Sequence, residues 1–131
     1  MSGQTDLTDL LRGMSATLID GTFVFATIQG AVPAGITPNM VFEESEGTTL
    51  ILPIDQARAA GIAFEFPCRM ITLNIHSALE AVGFMARIAT ELAKAGMGVN
   101  PVAGFYHDHL FVPEDRAADA MKVLADLAAA P

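Results

Sequence analysis

The chain carries the same order of apolar and polar positions twice. Residues 50–60, LILPIDQARAA, align without gaps with residues 110–120, LFVPEDRAADA. Each copy is an apolar run that ends in proline, followed by an acidic residue and an alanine-rich stretch. Proline is tolerated in the first turn of a helix, and negative charge is favoured there. Each copy therefore predicts a strand, a tight turn and a helix.

Two further segments with strand character precede each copy. They are residues 22–28 and 39–44 in the first half, and residues 69–75 and 98–106 in the second. Their β-branched and aromatic residues are typical of strands. Turn-forming residues at 45–47 and near 107–108 separate the last two strands of each half, which predicts a β-hairpin in both halves.

The two halves differ in the segment after their first strand. In the second half, Ser77–Glu80 has the form of a capping box, apolar residues then recur at helical spacing, and Gly96 ends the pattern. This predicts a long helix. In the first half, residues 29–38 contain two prolines and two glycines, which predicts a loop in place of that helix. A short leading helix is predicted over residues 7–14.

This order of elements predicts an α+β protein built from two tandem ferredoxin-like βαββαβ units, each an antiparallel sheet with helices on one side. We expect an N-terminal unit at residues 1–67, with the leading helix and without its first internal helix, and a C-terminal unit at residues 68–131. Residues 64–66 are predicted to be the fourth strand of the first unit. The second unit runs out of chain after its last helix, so its fourth strand is expected to be absent or borrowed, for instance from residues 63–66.

The charge balance narrows the classes of partner. Acidic residues number 15 and basic residues 7 among 131, so the net charge is −8 at pH 7. Because phosphate binding needs a basic surface, this charge argues against nucleic acid and against an anionic membrane surface. Residues 1–9 are polar, and the longest uncharged run, residues 21–42, contains Gly, Pro, Gln and Asn, so we expect neither a signal peptide nor a membrane span. The single cysteine, Cys68, fits a reducing compartment, and a cytoplasmic location is predicted.

Catalytic motifs are absent from the sequence, which has no nucleophile elbow, phosphate-binding loop or dinucleotide fingerprint. We therefore predict that the protein is not an enzyme and has no cofactor. The histidines allow an alternative, because His107 and His109 lie at i and i+2 and could join His76 in supplying three nitrogen ligands to zinc. We favour the plainer interpretation, a polar turn with a strand-end histidine and no metal. Cys68 is expected to be a partly buried, unreactive thiol.

Three places carry residues that suit a small polar ligand. Residues 76–83 lie at the start of the predicted helix, where free N–H groups attract a carboxylate, although Ser77 and Glu80 could satisfy those groups themselves. Asn100 starts an otherwise apolar strand, where an unpaired amide is costly, or it is an ordinary turn residue before a proline. Asp108 belongs to a polar cluster near the second hairpin turn, where aspartate is also common.

The residues from Leu92 to Asn100 resemble the helix-to-strand junction of ACT domains, which are small ferredoxin-like regulatory modules that bind amino acids. Residues 83–115, with their Asp-His-x-x-Val-Pro element, resemble the ACT subfamily that includes the animal cytosolic arginine sensors. The whole chain resembles a bacterial family of short tandem-ACT proteins of unassigned function.

The resemblance implies a ligand site at the junction of the two ACT units. Its residues would be His76, Ser77, Glu80, Val82, Gly83, Asn100 and Asp108. On this view, N–H groups near Val82 and Gly83 hold an α-carboxylate, and Asp108 accepts hydrogen bonds from the α-ammonium group.

These observations predict a regulatory module that binds a small molecule, expected to be an amino acid, and that assembles as a homo-oligomer, expected to be a dimer. An alternative is a structural or interaction protein whose sheet edges pair with another copy, since a ferredoxin-like sheet without its fourth strand leaves an edge uncovered. A histidine-based metal protein is the least favoured alternative.

Overall fold

The computed structural model describes residues 6–75 and 81–131. Its helices are α1 (Leu7–Gly13), α2 (Ile54–Ala59), α3 (Phe84–Lys94) and α4 (Ala117–Ala129), and Glu114–Arg116 forms a 3₁₀ turn. Its strands are β1 (Ala16–Leu18), β2 (Phe23–Ile28), β3 (Met40–Glu44), β4 (Gly47–Pro53), β5 (Glu65–Leu73), β6 (Asn100–Ala103) and β7 (Asp108–Pro113). The chain forms two compact units. Unit 1 comprises the segments up to Asp20 and from Arg69 onward, and unit 2 comprises Gly21–Cys68.

Unit 2 is a sheet with the strand order β3-β4-β2-β5, in which β5 takes part through its first residues. Residues two apart in a strand share a face of the sheet. Val24 and Ala26 of β2 therefore lie in one core cluster with Leu50 and Leu52 of β4. α2 also contributes to this core. The loop of residues 29–38 is not helical, which confirms the prediction, and its apolar residues Val32 and Ile36 pack against the core instead.

Unit 1 has the strand order β1-β5-β7-β6, with β1 antiparallel to the C-terminal part of β5. Leu18 pairs with Ile71. Just beyond this pairing, the backbone N–H of Asn74 donates to the carbonyl of Ser15 (2.7 Å) and its side-chain amide donates to the hydroxyl of Thr17 (2.7 Å). Helices α1, α3 and α4 contribute to one core with these strands. The buried residues of this core are Leu10, Leu11, Met14, Ile71, Leu73, Phe84, Ile88, Leu92, Met97, Leu110, Val112, Ala117, Ala120, Leu124 and Leu127.

Both units have the ferredoxin-like strand arrangement, so the predicted α+β fold of tandem units is confirmed. The fourth strand of unit 1 is borrowed, but from β1 rather than from residues 63–66. The fourth strand predicted for the first unit at residues 64–66 is confirmed, because the first residues of β5 pair with β2. It is not separate from the strand predicted at 69–75, because β5 runs through both segments. Pro67 is tolerated inside β5 because the pairing with β2 shifts register there, and Phe66 adopts a positive φ of 57° at this irregularity.

The compact units do not follow the boundary at residues 67 and 68. The leading helix α1 and β1, which the sequence places in the N-terminal unit at 1–67, belong to unit 1 together with the chain from Arg69 onward. The predicted boundary at 67 and 68 separates the two sequence repeats and not the two compact units. As a boundary between repeats, it stays a prediction.

The second hairpin turns earlier than predicted. The turn expected near residues 107–108 lies at 104–107, where the N–H of Gly104 donates to the carbonyl of His107 (2.9 Å). A β-carbon at Gly104 would stand 2.9 Å from the same oxygen, so the turn requires glycine. Asp108 is consequently the first residue of β7 and not a turn residue.

α3 is shorter than the predicted helix. It begins at Phe84, and residues 81–83 before it are not helical. The capping box at Ser77 and Glu80 lies outside the described residues. The other three helix predictions are confirmed, as α1, as α2 and as the 3₁₀ turn that leads into α4. Within the described parts of the chain, no helix is long and apolar enough to cross a membrane.

We expect Leu10→Ala to lower the free energy of unfolding by about 2–5 kcal/mol, as for other fully buried leucines. Leu10 is 0% exposed and belongs to the core of unit 1, although it lies in the leading helix. Urea unfolding measures the change. The matched control is Thr8→Ala on the exposed side of α1, which should stay within about 0.5 kcal/mol of the parent protein. Equal effects of the two substitutions would mean that α1 is not part of the core.

Candidate ligand-binding site in unit 1

Within residues 6–75 and 81–131, no side chain caps the backbone N–H groups at the start of α3. The N-cap residue is Gly83, with φ 86° and ψ −8°, and no side-chain cap bond is formed. The N–H of Arg87 donates to the carbonyl of Gly83 (2.9 Å), so the N–H groups of Phe84, Met85 and Ala86 have no acceptor within the helix. The first turn of α3 itself, Phe84 to Arg87, also has no acidic residue that would compensate the positive end of the helix dipole.

α1 lies next to both the end of β5 and the start of α3. The Cδ1 atom of Ile75, two residues beyond β5, would lie 3.1 Å from a β-carbon built at Gly13. At the other end of α1, the Cδ2 atom of Leu7 would lie 3.6 Å from a β-carbon built at Gly83. Because α1 has 7 residues, the two places are separated by about 10 Å, the length of this helix.

Asp108 starts β7 beside this end of β5. The Nδ1 atom of the next residue, His109, lies 3.0 Å from Oγ1 of Thr72 in β5. Asp108 alternates with Leu110 and Val112, which lie in the core under the helices, so its half-buried side chain is directed to the face that α3 covers. The carboxylate and the start of α3 therefore share one end and one face of the sheet.

Asn100 lies at a different place from Asp108. It is exposed, and it pairs with Phe111, whereas Asp108 pairs with Ala103. Paired residues of a hairpin share a face, and Phe111 and Asp108 are an odd number of positions apart, so Asn100 and Asp108 point to opposite faces. They are also about 10 Å apart along the strands. The structure does not bring these two predicted site residues together.

The other predicted site residues lie at or before the start of α3. His76, Ser77 and Glu80 fall outside the described residues. Val82 is 83% exposed and precedes the helix in a non-helical conformation, next to Gly83. Of the predicted set, Val82, Gly83 and Asp108 are thus found at the same end of unit 1.

His107 and His109 form a pair at the second hairpin, with 6.5 Å between their ring centroids. Burial lowers the pKa of His109 below its ordinary value of 6.5, and the neighbouring His107 adds to this effect, while Asp108 acts in the opposite direction. Within residues 6–75 and 81–131, no group of three His, Cys, Asp or Glu side chains is arranged to hold a metal ion. His76, the third histidine of the zinc alternative, is not among those residues.

Cys68 and a cleft in unit 2 offer little to a polar ligand. Cys68 is buried, and its thiol donates to the carbonyl of Phe23 (3.2 Å). The cleft, of about 360 Å³, is lined by Ala34, Gly35, Ile36, Asp55, Gln56, Ala59 and Ala60. The Gln56 amide is engaged with Thr37, accepting from its N–H (2.7 Å) and donating to its hydroxyl (3.1 Å). Asp55 remains as the only charged residue of that lining, so the start of α3 suits a zwitterion better.

Sequence reasoning missed Thr72 and Leu7, which hold parts of this site in position. Thr72 is hydrogen-bonded to His109, and Leu7 packs beside Gly83. Strand alternation could have predicted that Thr72 points away from the core, since it is the polar residue between Ile71 and Leu73. Leu7 carries no such signal, because its neighbour is remote in the sequence.

Two matches to models of the ACT domain cover residues 2–69 and residues 65–126. This chain belongs to the ACT domain family. Among solved structures, the ACT protein is similar to a protein of unknown function from Vibrio cholerae, called a possible transport protein. The two are 41% identical with a TM-score of 0.86, and the similarity covers 93% of this chain and 95% of that one.

More distant structures share the fold of this ACT protein. A protein from Agrobacterium tumefaciens is 16% identical with a TM-score of 0.71, covering 88% of this chain and 89% of that one. The ligand-free regulatory subunit of aspartate kinase from Thermus thermophilus is 11% identical with a TM-score of 0.63, covering 86% and 95%. No curated protein matches the chain. The predicted ACT resemblance is confirmed, and the resemblance to arginine sensors stays a prediction.

We expect the free energy of unfolding to fall as the pH drops through about 6.5, with His109 responsible for part of the fall. Because the folded state lowers the pKa of His109, the unfolded chain takes up the proton more readily. The stability that His109 adds to the folded state is present in full above the unfolded pKa of 6.5, and it is lost as the pH falls through the lower folded-state pKa. Urea unfolding at a series of pH values measures it.

His109→Gln should flatten this pH dependence, because it removes the titrating ring. His107→Gln in the adjacent turn is the matched control and should change the slope less. A slope that is identical in His109→Gln and in the parent protein would contradict the assignment to His109.

Proposed function

We propose that this ACT protein is a non-catalytic regulatory module that binds a free amino acid at the start of α3. Two observations carry the proposal: among the described residues no side chain caps the start of α3, and the half-buried Asp108 begins β7 beside the end of β5, with Thr72 of β5 hydrogen-bonded to the next residue, His109. The ACT family supports the coarser part, a regulatory module with a small-molecule ligand.

The N–H groups at the start of α3 would bind the α-carboxylate of the ligand. Gly83 has no side chain, so a ligand can approach the backbone closely. The helix dipole favours an anion at this position by about 0.3–1 kcal/mol. Arg87 adds positive potential in the next turn, although its guanidinium is shared with Glu91 at 3.5 Å.

Asp108 would accept hydrogen bonds from the α-ammonium group. Hydrogen bonds between ionised groups are shorter and stronger than neutral ones. A carboxylic acid without an amine would bring a second negative charge toward Asp108, and an amine without a carboxylate would leave the start of α3 unfilled. The two groups together therefore favour an amino acid over either simpler class.

Leu7 would transmit ligand binding to the rest of unit 1. Its side chain lies beside Gly83, so a ligand at this backbone meets the first residue of α1. A ligand shifts an equilibrium only if it binds two states with different affinity. We infer that the position of α1 differs between the free and bound states, and that a second copy or another protein responds to it.

Thermal unfolding in the presence of each amino acid in turn tests the proposal. We expect one amino acid to raise the melting temperature, since a ligand at 100 times its Kd adds about 2.7 kcal/mol to the stability of the folded state. Asp108→Asn should weaken the binding of that amino acid by about tenfold or more, because a hydrogen bond to a charged group contributes about 1.5–3 kcal/mol. Titration calorimetry measures the Kd of each variant.

Asn100→Ala is the matched control, because Asn100 is an exposed polar residue of the same hairpin on the opposite face. It should leave the affinity unchanged. The proposal fails if no amino acid changes the melting temperature, or if Asp108→Asn and Asn100→Ala bind the ligand equally well.

A further inference from the structure

β3 is an outer strand of unit 2 with large apolar side chains in solvent. It pairs with β4 along one edge, and no strand of residues 6–75 and 81–131 pairs with its other edge. Val41 is 48% exposed and Phe42 is 63% exposed. They point to opposite faces, because they are neighbours in one strand. The strand therefore offers unpaired backbone groups between two exposed apolar side chains.

β6, one of the outer strands of unit 1, is protected against strand pairing in a way that β3 is not. β6 contains Pro101, which cannot donate a backbone hydrogen bond to an added strand. Its residues with exposed side chains are Asn100, Pro101 and Ala103, none of them a large hydrophobic residue. Proline on an edge is a common device against unwanted strand pairing. β3 has no proline between Met40 and Glu44.

The end of β3 is strongly acidic. Glu43 and Glu44 follow the apolar pair, and Glu46 lies in the turn, all three exposed. Glu44 accepts a hydrogen bond from Thr49 and Glu46 accepts one from Ser45, both uncharged donors. Residues 21–68 contain five acidic residues and one basic residue, Arg58, which gives a net charge of −4. Unit 2 has no other cation with which to neutralise this end of the hairpin.

We propose that the free edge of β3 binds an extended segment of another protein that carries two basic residues followed by two apolar residues. Strand addition to an exposed edge supplies backbone hydrogen bonds, and the side chains on each face select the partner. In an antiparallel arrangement, the basic pair lies opposite Glu44 and Glu43, and the apolar pair lies opposite Phe42 and Val41. Each face of the sheet then receives one ion pair and one apolar contact.

A second copy of this chain fits the edge less well. It would bring three further glutamates to the hairpin, in a chain with a net charge of −8. A β3–β3 pair would also place Glu43 and Glu44 opposite apolar side chains, with no cation on either strand. Charge complementarity therefore favours a basic partner, and this inference does not depend on the proposed amino-acid site.

A fluorescein-labelled peptide with the core Lys-Lys-Ile-Val, capped at both ends, tests the inference by fluorescence anisotropy. We expect the full-length protein to bind it, and to bind it more weakly as the salt concentration rises. The analogue with the core Glu-Glu-Ile-Val should not bind. Phe42→Ser and Glu43→Lys should each weaken binding by up to about fivefold, the range of one cross-strand pair.

Two matched controls use other surfaces of the protein. Asp55→Lys makes the same change of charge as Glu43→Lys, on the exposed surface of α2 in the same unit, and Val102→Ser alters the other outer strand. Both should bind the Lys-Lys-Ile-Val peptide as the parent protein does. Circular dichroism and the melting temperature of each variant establish that it is folded.

Three results would overturn the inference. The first is no binding of the Lys-Lys-Ile-Val peptide to the folded parent protein. The second is equal weakening by Asp55→Lys and Glu43→Lys, which would mean that net charge and not the edge attracts the peptide. The third is a concentration-dependent dimer in sedimentation that Phe42→Ser abolishes, which would assign the edge to a second copy.

Discussion

Unit 1 depends on the antiparallel pairing of β1 with the C-terminal part of β5. Without β1, this part of β5 would expose one row of backbone N–H and C=O groups, because β7 occupies its other side. The same N-terminal segment carries α1, which adds Leu10 and Leu11 to the core. The chain from Arg69 onward therefore completes neither its sheet nor its core alone. It is completed by the segment that ends at Asp20, which is why unit 1 consists of two separate stretches of the sequence.

Local patterns predicted most of the fold, and long-range pairing accounts for what they missed. The repeated apolar run with its proline predicted β4, β7 and the helices after them, because strand alternation and helix starts are properties of neighbouring residues. β1 has three residues and no distinctive pattern, so only its pairing with Leu73, Thr72 and Ile71 defines it as a strand. From its immediate neighbours alone, Pro67 predicts the end of a strand. β5 nevertheless continues through Pro67, because the irregular pairing with β2 needs no N–H at that point.

The candidate site was predictable in its parts and not in its geometry. Gly83 and Asp108 carried recognisable chemistry, a glycine before a helix and a carboxylate beside a hairpin, and both lie at the end of unit 1 where α3 begins. Asn100 carried a comparable signal and lies on the other face. The face of each strand residue depends on the hairpin register, and register depends on the position of the turn. Gly104 sets that turn through its close contact with the His107 carbonyl, a contact that the sequence does not display.

The charges of the two units are compensated in different ways, and this difference separates the two proposed binding surfaces. In unit 1, Glu91, Asp119 and Asp126 each form an ion pair with a cation three or four residues away. Exposed pairs of this kind add little to stability, but they cancel charge locally. The first turn of α3 has no acidic residue, and this is where the proposed ligand would place its carboxylate. In unit 2, Arg58 is the single cation, so the acidic end of the β3–β4 hairpin keeps its charge. On the two proposals, a zwitterionic small molecule and a basic strand would bind to different parts of one acidic chain, and neither would exclude the other.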